Sequence, residues 1–468
     1  MNVELPAIGA SVRQRVMLFA KLVGILVLIG VLLIPLAMIG GVLRERRGYQ
    51  AQATEEIARL WGREQLVTGP VLAIPYVYRA AVRRPASPQD VANGMAGSEL
   101  LPATAYFLPE VLNVNGAAEP ERRHRGIYET VVYVAKLELE GFFQPDFTAA
   151  GIEAERIDWA AARVLLGVTD VHGVRAVGPL QRSGRDGEAF DSASDTLLPL
   201  AAKAPGVIAG EKHAFRFDVA VQGSGRLQIA PAGGKTAAML RADWPDPSFV
   251  GAALPVTRRV SDEEFVAEWQ SARFSRGFAQ SWSNRFVSNA DALDRLAAAG
   301  FGVSFAQPID GYGMVERARK YGVLFLVLVF AVFFLFEVTA RLRIHPLQYA
   351  LVGAGLCLFF LTFLALSEFW PVGLAYAVAA AACTTLVSLY ARSFLQAGRR
   401  TLALAGALAA TYGYLYFVLQ SQDYALLAGT AALFVALALL MFCTRRIDWY
   451  AVDLGAAKRE PEGDRNPT

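Results

Sequence analysis

The sequence is poor in the residues that most often announce chemistry. It has three cysteines, Cys357, Cys383 and Cys443, and four histidines, His124, His172, His213 and His345. All three cysteines lie in apolar runs toward the C-terminus, so the polar middle of the chain has no thiol to form a disulfide and must rely on its own core. The histidines lack metal-ligand spacing, and no H-E-x-x-H, C-x-x-C or G-x-S-x-G pattern occurs. Charge of one sign is not in excess: 45 Lys and Arg stand against 42 Asp and Glu, a net +3 that gives nucleic acid little to be drawn by. Gly234-Lys235-Thr236 has the look of a phosphate loop, but the first glycine of that motif would fall at Ile229, and a glycine turn is the simpler reading. No catalytic residue, metal or cofactor is predicted.

What is abundant is apolar residue, 54% of 468, above the roughly 45–50% usual for soluble chains. It is concentrated in six runs, residues 22–43, 321–340, 349–366, 371–391, 402–419 and 424–443, each near the ~20 residues a helix needs to cross a bilayer. The first run is too long for a signal-peptide core and no small-x-small cleavage site follows it, so it reads as an uncleaved anchor. Residues 44–320 read as ordinary globular sequence. The predicted map is a cytoplasmic N-terminus at 1–21, an anchor at 22–43, a β-rich extracytoplasmic domain at 44–320, a five-helix membrane bundle at 321–443 and a cytoplasmic tail at 444–468.

Orientation follows from the short loops, whose Lys and Arg stay inside. With the N-terminus inside, the cytoplasmic segments hold Arg13, Arg15 and Lys21, then Arg341 and Arg343, then Arg392, Arg399 and Arg400, then Arg445 and Arg446, while loops 367–370 and 420–423 hold no base. Arg44, Arg46, Arg47, Arg317, Arg319 and Lys320 fall on the other side, but they flank a long domain, where the rule is weak.

Ionisable residues close to the spans are the default candidates for function. Glu337 stands four residues before Arg341, the spacing of a helical ion pair at the interface. Glu368 ends the third span and is expected to be solvated, and Asp423 opens the sixth, where a carboxylate caps free N–H groups. A competing reading joins Glu368 and Asp423 at the outer mouth as a cation or headgroup site. Gly353, Gly355, Gly406, Gly413 and Gly429 predict close helix packing. Tyr412, Tyr414 and Tyr416 predict packing and anchoring, or a lipid or substrate groove. His345-Pro346 reads as a helix start.

In the large domain, Phe215, Phe217, Val219 and Val221 alternate with Arg216, Asp218, Ala220 and Gln222, a half-buried strand over 213–222. Gly223-Ser224-Gly225 then reads as a tight turn into 226–230. Strands are also expected over 131–139, 71–78 and 163–169, and loops over 85–97 and 183–194. Residues 51–65 have helical composition and extend the anchor as a stalk. Residues 261–273 fit two readings, a capping box at Ser261 and Glu264 or a strand carrying Phe265, Ala267 and Trp269, while 291–299 reads as helix. Trp244, Trp269 and Trp282 are expected in the core or at its rim. The fold class is thus an α-helical polytopic membrane protein with a β-rich, antiparallel, sandwich-like domain.

An ordered set of short motifs resembles one family. It comprises Leu66-Val67-Thr68-Gly69-Pro70-Val71-Leu72, Arg125-Gly126-Ile127-Tyr128, Asp243-Trp244-Pro245, Phe333-Phe334-Leu335-Phe336-Glu337, His345-Pro346-Leu347-Gln348-Tyr349, Asp423-Tyr424-Ala425 and Asp448-Trp449-Tyr450. Together they are similar to the CreD family of cell-envelope-integrity inner-membrane proteins. The resemblance implies location in a bacterial inner membrane, induction by a two-component sensor and regulator, and effects on colicin and β-lactam tolerance. It implies no catalytic residues.

The leading expectation is a non-enzymatic protein whose outer domain binds an envelope component, with the bilayer and envelope proteins, lipids or cell-wall components as partners. A transporter or lipid-handling bundle is the alternative, and would show a polar cavity between spans. A membrane enzyme on cell-wall precursors is the third, and would show converging acids, with Asp243, Asp246 and Glu316 available.

Overall fold

The computed structural model describes residues 8–81, 98–182, 185–275, 277–305, 311–340, 344–395, 397–420 and 425–445. The expected loop 85–97, Arg341 and Asp423 lie outside the described residues. The chain divides into two compact units, one formed by residues up to Tyr49 with those from Ile309 onward, the other by Gln50–Pro308.

The first helix, α1 (Ile8–Trp61), joins the expected anchor and stalk without a break and carries Pro35 inside it. A short helix, α2 (Asn289–Ala298), belongs to the β-rich unit, and its N-cap Ser288 accepts the Asp291 N–H at 3.1 Å. The helical unit continues with α3 (Gly311–Ala340), α4 (Pro346–Ser367), α5 (Val372–Leu395), α6 (Gly398–Gln420) and α7 (Ala425–Thr444). Among the described residues four helices, α1, α4, α5 and α6, are long and apolar enough to cross a membrane by length and composition. Helix α4 starts as its sequence predicts: Pro346 is its first residue, Leu347 N–H donates to His345 Nδ1 at 3.2 Å and His345 N–H donates to Gln348 Oε1 at 2.9 Å.

Small residues let these helices approach. A Cβ on Gly353 of α4 would lie 2.2 Å from Leu32 Cδ1 of α1, and one on Gly322 of α3 would lie 3.1 Å from Leu36 Cδ2. Gly355 meets Val387 of α5 and Gly429 meets Tyr321 at ordinary contact distances. Gly406 and Gly413 differ from expectation, with no atom of the described residues within 4 Å of either Cβ position. They lie on the exposed side of α6 with Leu402 and Phe417, and a uniformly apolar helix gives no sign of which side its neighbours occupy. Tyr412 points inward, its hydroxyl donating to Cys383 Sγ at 3.0 Å and its ring 4.6 Å from that of Phe359, whereas Tyr414 faces outward.

In the β-rich unit, period-two patterning becomes two sheets around one apolar core. The ten-stranded sheet runs in the order Phe190–Ser192, Leu200–Lys203, Arg163–Val168, Gln65–Ala81, Arg226–Ile229, Phe301–Ser304, Ser248–Gly251. Ser98–Phe107 and Arg156–Ile157 also pair with Gln65–Ala81, and Ser281–Ser283 pairs with Ser98–Phe107. The nine-stranded sheet runs Thr257–Val260, Phe265–Ala272, Lys235–Ala242, Val111–Arg125, Tyr128–Phe143, His213–Ser224, Leu180–Arg182, Arg185–Glu188, with Val174–Val177 also on His213–Ser224. The alternating strand at 213–222 is present and extends to Ser224, with every second side chain buried.

Three expectations change. The sheets are mixed rather than antiparallel, because Gln65–Ala81 pairs parallel with Arg226–Ile229 and Val111–Arg125 pairs parallel with Lys235–Ala242. The glycine turn at 223–225 closes no hairpin. Gly225, at φ +70°, passes the chain from the nine-stranded sheet to the ten-stranded one. The expected loop 183–194 contains the strands Arg185–Glu188 and Phe190–Ser192. At 261–273 the strand reading holds: Ser261 Oγ accepts the Glu264 N–H in a turn, and Phe265, Ala267 and Trp269 are buried in the strand that follows. Lys235 likewise opens a strand, after a turn in which Thr236 Oγ1 accepts the Gly233 N–H at 3.0 Å.

The core sets aromatic rings among its aliphatic side chains. Trp269 stacks on Phe301 with centroids 5.6 Å apart, and Trp244 and Trp282 are buried with it. Each such side chain stabilises by roughly 1.5–3 kcal/mol or more through area removed from water. A polar joint fixes the start of the first long strand. Gln65, 1% exposed, donates from Nε2 to the carbonyls of Asp170 and Gln222 at 3.0 and 3.2 Å, and its Oε1 accepts the Asp170 N–H at 3.2 Å. Burial acts to raise the Asp170 carboxyl, but N–H donors from Arg63 and His172 outweigh it and hold the group below its usual range.

Candidate functional site

One face of the nine-stranded sheet is solvent-facing and carries a charged groove. Strand register sets its side chains in cross-sheet rows. One row runs Glu268, Met239, Asn115, Glu138, Asp218. Flanking rows bring Asn113, Glu140 and Arg216 together on one side, and Arg241, Ala117 and Lys136 on the other. The opposite faces of these strands enter the core through Val114, Leu137, Leu139, Val219 and Leu240, so alternation alone aims the polar residues outward.

Two depressions share this face. One, of about 810 Å³, is lined by Asn115, Lys136, Glu138, Asp218, Met239 and Arg241. The other, of about 380 Å³, is lined by Asn113, Glu140, Arg216, Glu268 and Gln270 and shares Asn115, Glu138 and Met239 with the first. Gly116 forms part of the larger floor, and a Cβ there would lie 2.7 Å from Leu137 Cδ2. Arg216 pairs with Glu138, and Asn113 Nδ2 donates to Glu140 Oε1 at 3.3 Å. The groove thus offers cations beside anions, a surface for a partner bearing both. Glu138 and Asp218 occupy directly opposed positions on neighbouring strands, which the linear sequence conceals because eighty residues of chain separate them. Of the acids expected to converge, Asp243 and Asp246 belong to the β-rich unit and Glu316 to the helical unit.

In the helical unit the structure places two of the three candidate acids. Glu337, 2% exposed, is held by Lys21 Nζ of α1, by the Tyr349 hydroxyl at 3.1 Å and by the Ile344 N–H at 3.3 Å. Lys21 also donates to the Ile344 carbonyl at 3.1 Å. A distant helix therefore supplies a partner that local spacing did not suggest, while Arg341, the expected i,i+4 partner, lies outside the described residues. Glu368 is not solvated as expected. Its side chain is 8% exposed, 3.6 Å from Arg46 Nε, and accepts from the Tyr312 hydroxyl at 3.2 Å. Sequence reasoning missed Lys21, Arg46 and Tyr312 as partners, since nothing local links them to these acids.

Residues 17–450 match the family described as CreD: Inner membrane protein CreD. The chain is similar to Inner membrane protein CreD of Escherichia coli (strain K12), at 32% identity over 451 residues, covering 95% of this chain and 96% of that protein. Among solved structures, an M1 zinc metallopeptidase from Deinococcus radiodurans overlaps 35% of this chain and 38% of its own, at 8% identity and a TM-score of 0.19. That overlap carries no argument about fold or chemistry.

Proposed function

Because the chain belongs to the CreD family of inner membrane proteins, we propose that it supports cell-envelope integrity by binding an envelope component in the groove of its nine-stranded sheet. In this reading six helices span the membrane, both termini are cytoplasmic and the β-rich unit faces the periplasm, as the bases of the short loops favour. The observation that carries it is the pair of joined depressions, one walled by Glu140 and Arg216, the other by Lys136, Asp218 and Arg241, with Glu138 common to both. Alternating charges on a rigid sheet suit a polar partner carrying both signs, as peptide-bearing cell-wall material or an envelope protein does. The role is binding rather than catalysis: Glu138 is neutralised by Arg216, and Lys136 and Arg241 stand among the remaining acids.

The test is in vivo photocrosslinking from position 115 in the groove and, as reference, from the exposed position Phe286. A discrete envelope component captured from 115 alone, and lost on Arg216→Glu, is expected. Recovery of the same neighbours from both positions would end this reading.

One observation favours a second reading, a transporting or lipid-handling helical unit: the buried Glu337, since acids among membrane helices commonly serve transport. Reconstituted vesicles decide it. Solute or lipid movement abolished by Glu337→Gln with fold intact would support transport, and its absence leaves the groove reading in place.

A further inference from the structure

At one end of the helical unit two arginines converge on a glycine with no acid among the described residues to meet them. Arg44 of α1 donates from Nε to the Gly40 carbonyl at 3.3 Å. Arg319 of α3 rests its guanidinium against the same residue, where a Cβ on Gly40 would lie 3.0 Å from Cζ and 3.1 Å from Nε. The neighbouring bases are matched: Arg47 and Lys320 share Glu316, and Arg46 reaches Glu368. Among the described residues no carboxylate pairs with Arg44 or Arg319. The Nε of Arg319 is shut off from solvent without a hydrogen-bond partner, and so is that of Arg317 on the same helix. A shielded donor left unpaired is costly, and two positive charges drawn to one residue without a counter-ion add to the cost unless an anion completes them.

The depth of the pair identifies the anion. The apolar run of α1 closes at Leu43, one residue before Arg44, and that of α3 opens at Tyr321, two residues after Arg319. Both guanidinium groups therefore stand where their helices leave hydrocarbon, at the level of lipid headgroups. We propose that Arg44 and Arg319, gathered over Gly40, bind the phosphate of an anionic phospholipid. Guanidinium forks match phosphate oxygens in pairs, and the missing side chain at Gly40 leaves room for Arg319 to lie flat against α1. The site is defined by these side chains whichever face of the membrane it meets.

The experiment uses the full chain in nanodiscs of phosphatidylcholine with graded phosphatidylglycerol, reading bound lipid by native mass spectrometry. The wild type is expected to retain phosphatidylglycerol over phosphatidylcholine. Arg44→Gln with Arg319→Gln is expected to weaken that binding about thirty-fold, the product of two charges at the membrane surface. Because Arg319→Gln touches helix packing, the exposed Arg44→Gln alone provides the control, with about a five-fold loss and an unchanged melting temperature. A parallel arm adds inorganic phosphate to lipid-free protein in detergent. Stabilisation by phosphate without preference for phosphatidylglycerol would overturn the lipid assignment in favour of a free anion. Equal retention of both lipids by the wild type, or a preference unchanged in the double variant, would overturn the site.

Discussion

Lys21 of α1 holds the buried carboxylate of Glu337 and, through the same ammonium, the carbonyl of Ile344 at 3.1 Å. One side chain thus ties α1 to the end of α3 and to the turn that opens α4. Lys21 is 22% exposed and Glu337 2%, so the two members are not equivalent. Removing the lysine strands a charge that, among the described residues, keeps only the Tyr349 hydroxyl and the Ile344 N–H. Removing the carboxylate leaves an ammonium that still reaches solvent.

The first prediction is that asymmetry. Lys21→Met should destabilise by about 3–5 kcal/mol, the usual effect of orphaning a buried charge, and Glu337→Gln by less. Joining Lys21→Met to Glu337→Leu should recover most of the loss. Unfolding midpoints of the protein in detergent check it, and a double variant no better than Lys21→Met would sink the account.

A second prediction separates binding from stability in the groove. The Arg216 side chain is 59% exposed and that of Glu138 29%, so their pair contributes within about 1 kcal/mol. Arg216→Ala should barely move the unfolding midpoint while abolishing crosslinks from position 115. A large stability loss would make the pair a structural element instead.

The parts legible in the sequence were those written in local period or local chemistry. Strand 213–224 declared itself by alternation, and α4 by His345, Pro346 and Gln348 at its start. Parallel pairing between Val111–Arg125 and Lys235–Ala242 was not legible, because no turn joins them. Nor was the groove: Glu138 and Asp218 look like two unrelated outward positions until register sets them opposite. Glu337 and Glu368 were found by type, but their basic partners came from a helix hundreds of residues away in the chain, as Lys21 with Glu337 and Arg46 with Glu368 show.

The third prediction concerns pH. Asp170 is held below its usual range by donors from Arg63 and His172 despite partial burial. A lowered folded-state pKa means stability that is present above the ordinary aspartate value near 3.9 and lost as pH falls through the folded value. Asp170→Asn should therefore be less stable than wild type at neutral pH, with the gap narrowing from about pH 5 downward. Denaturation midpoints across that range decide it; a gap that widens with acid would reverse the sign and refute the assignment.

The last prediction sets two glycines of one hairpin against each other. Gly126 sits in the two-residue turn between Arg125 and Tyr128, at φ +62°, with no atom within 4 Å of its Cβ position. Gly141 lies near the far end, where a Cβ would stand 2.0 Å from the Val111 carbonyl and 3.0 Å from Phe215 Cζ. Gly126→Ala meets only a conformational penalty of about 1–2 kcal/mol, and Gly126→Asn should relieve much of it, because asparagine tolerates that backbone region. Gly141→Ala drives an atom into a backbone that has paired strands on both sides, Val111–Arg125 and His213–Ser224. The loss there should reach or exceed about 1–3 kcal/mol, with no side chain able to rescue it. Chemical denaturation of the three variants tests the ordering, and a Gly141→Ala protein as stable as Gly126→Asn would show that the sheet yields where its register says it cannot.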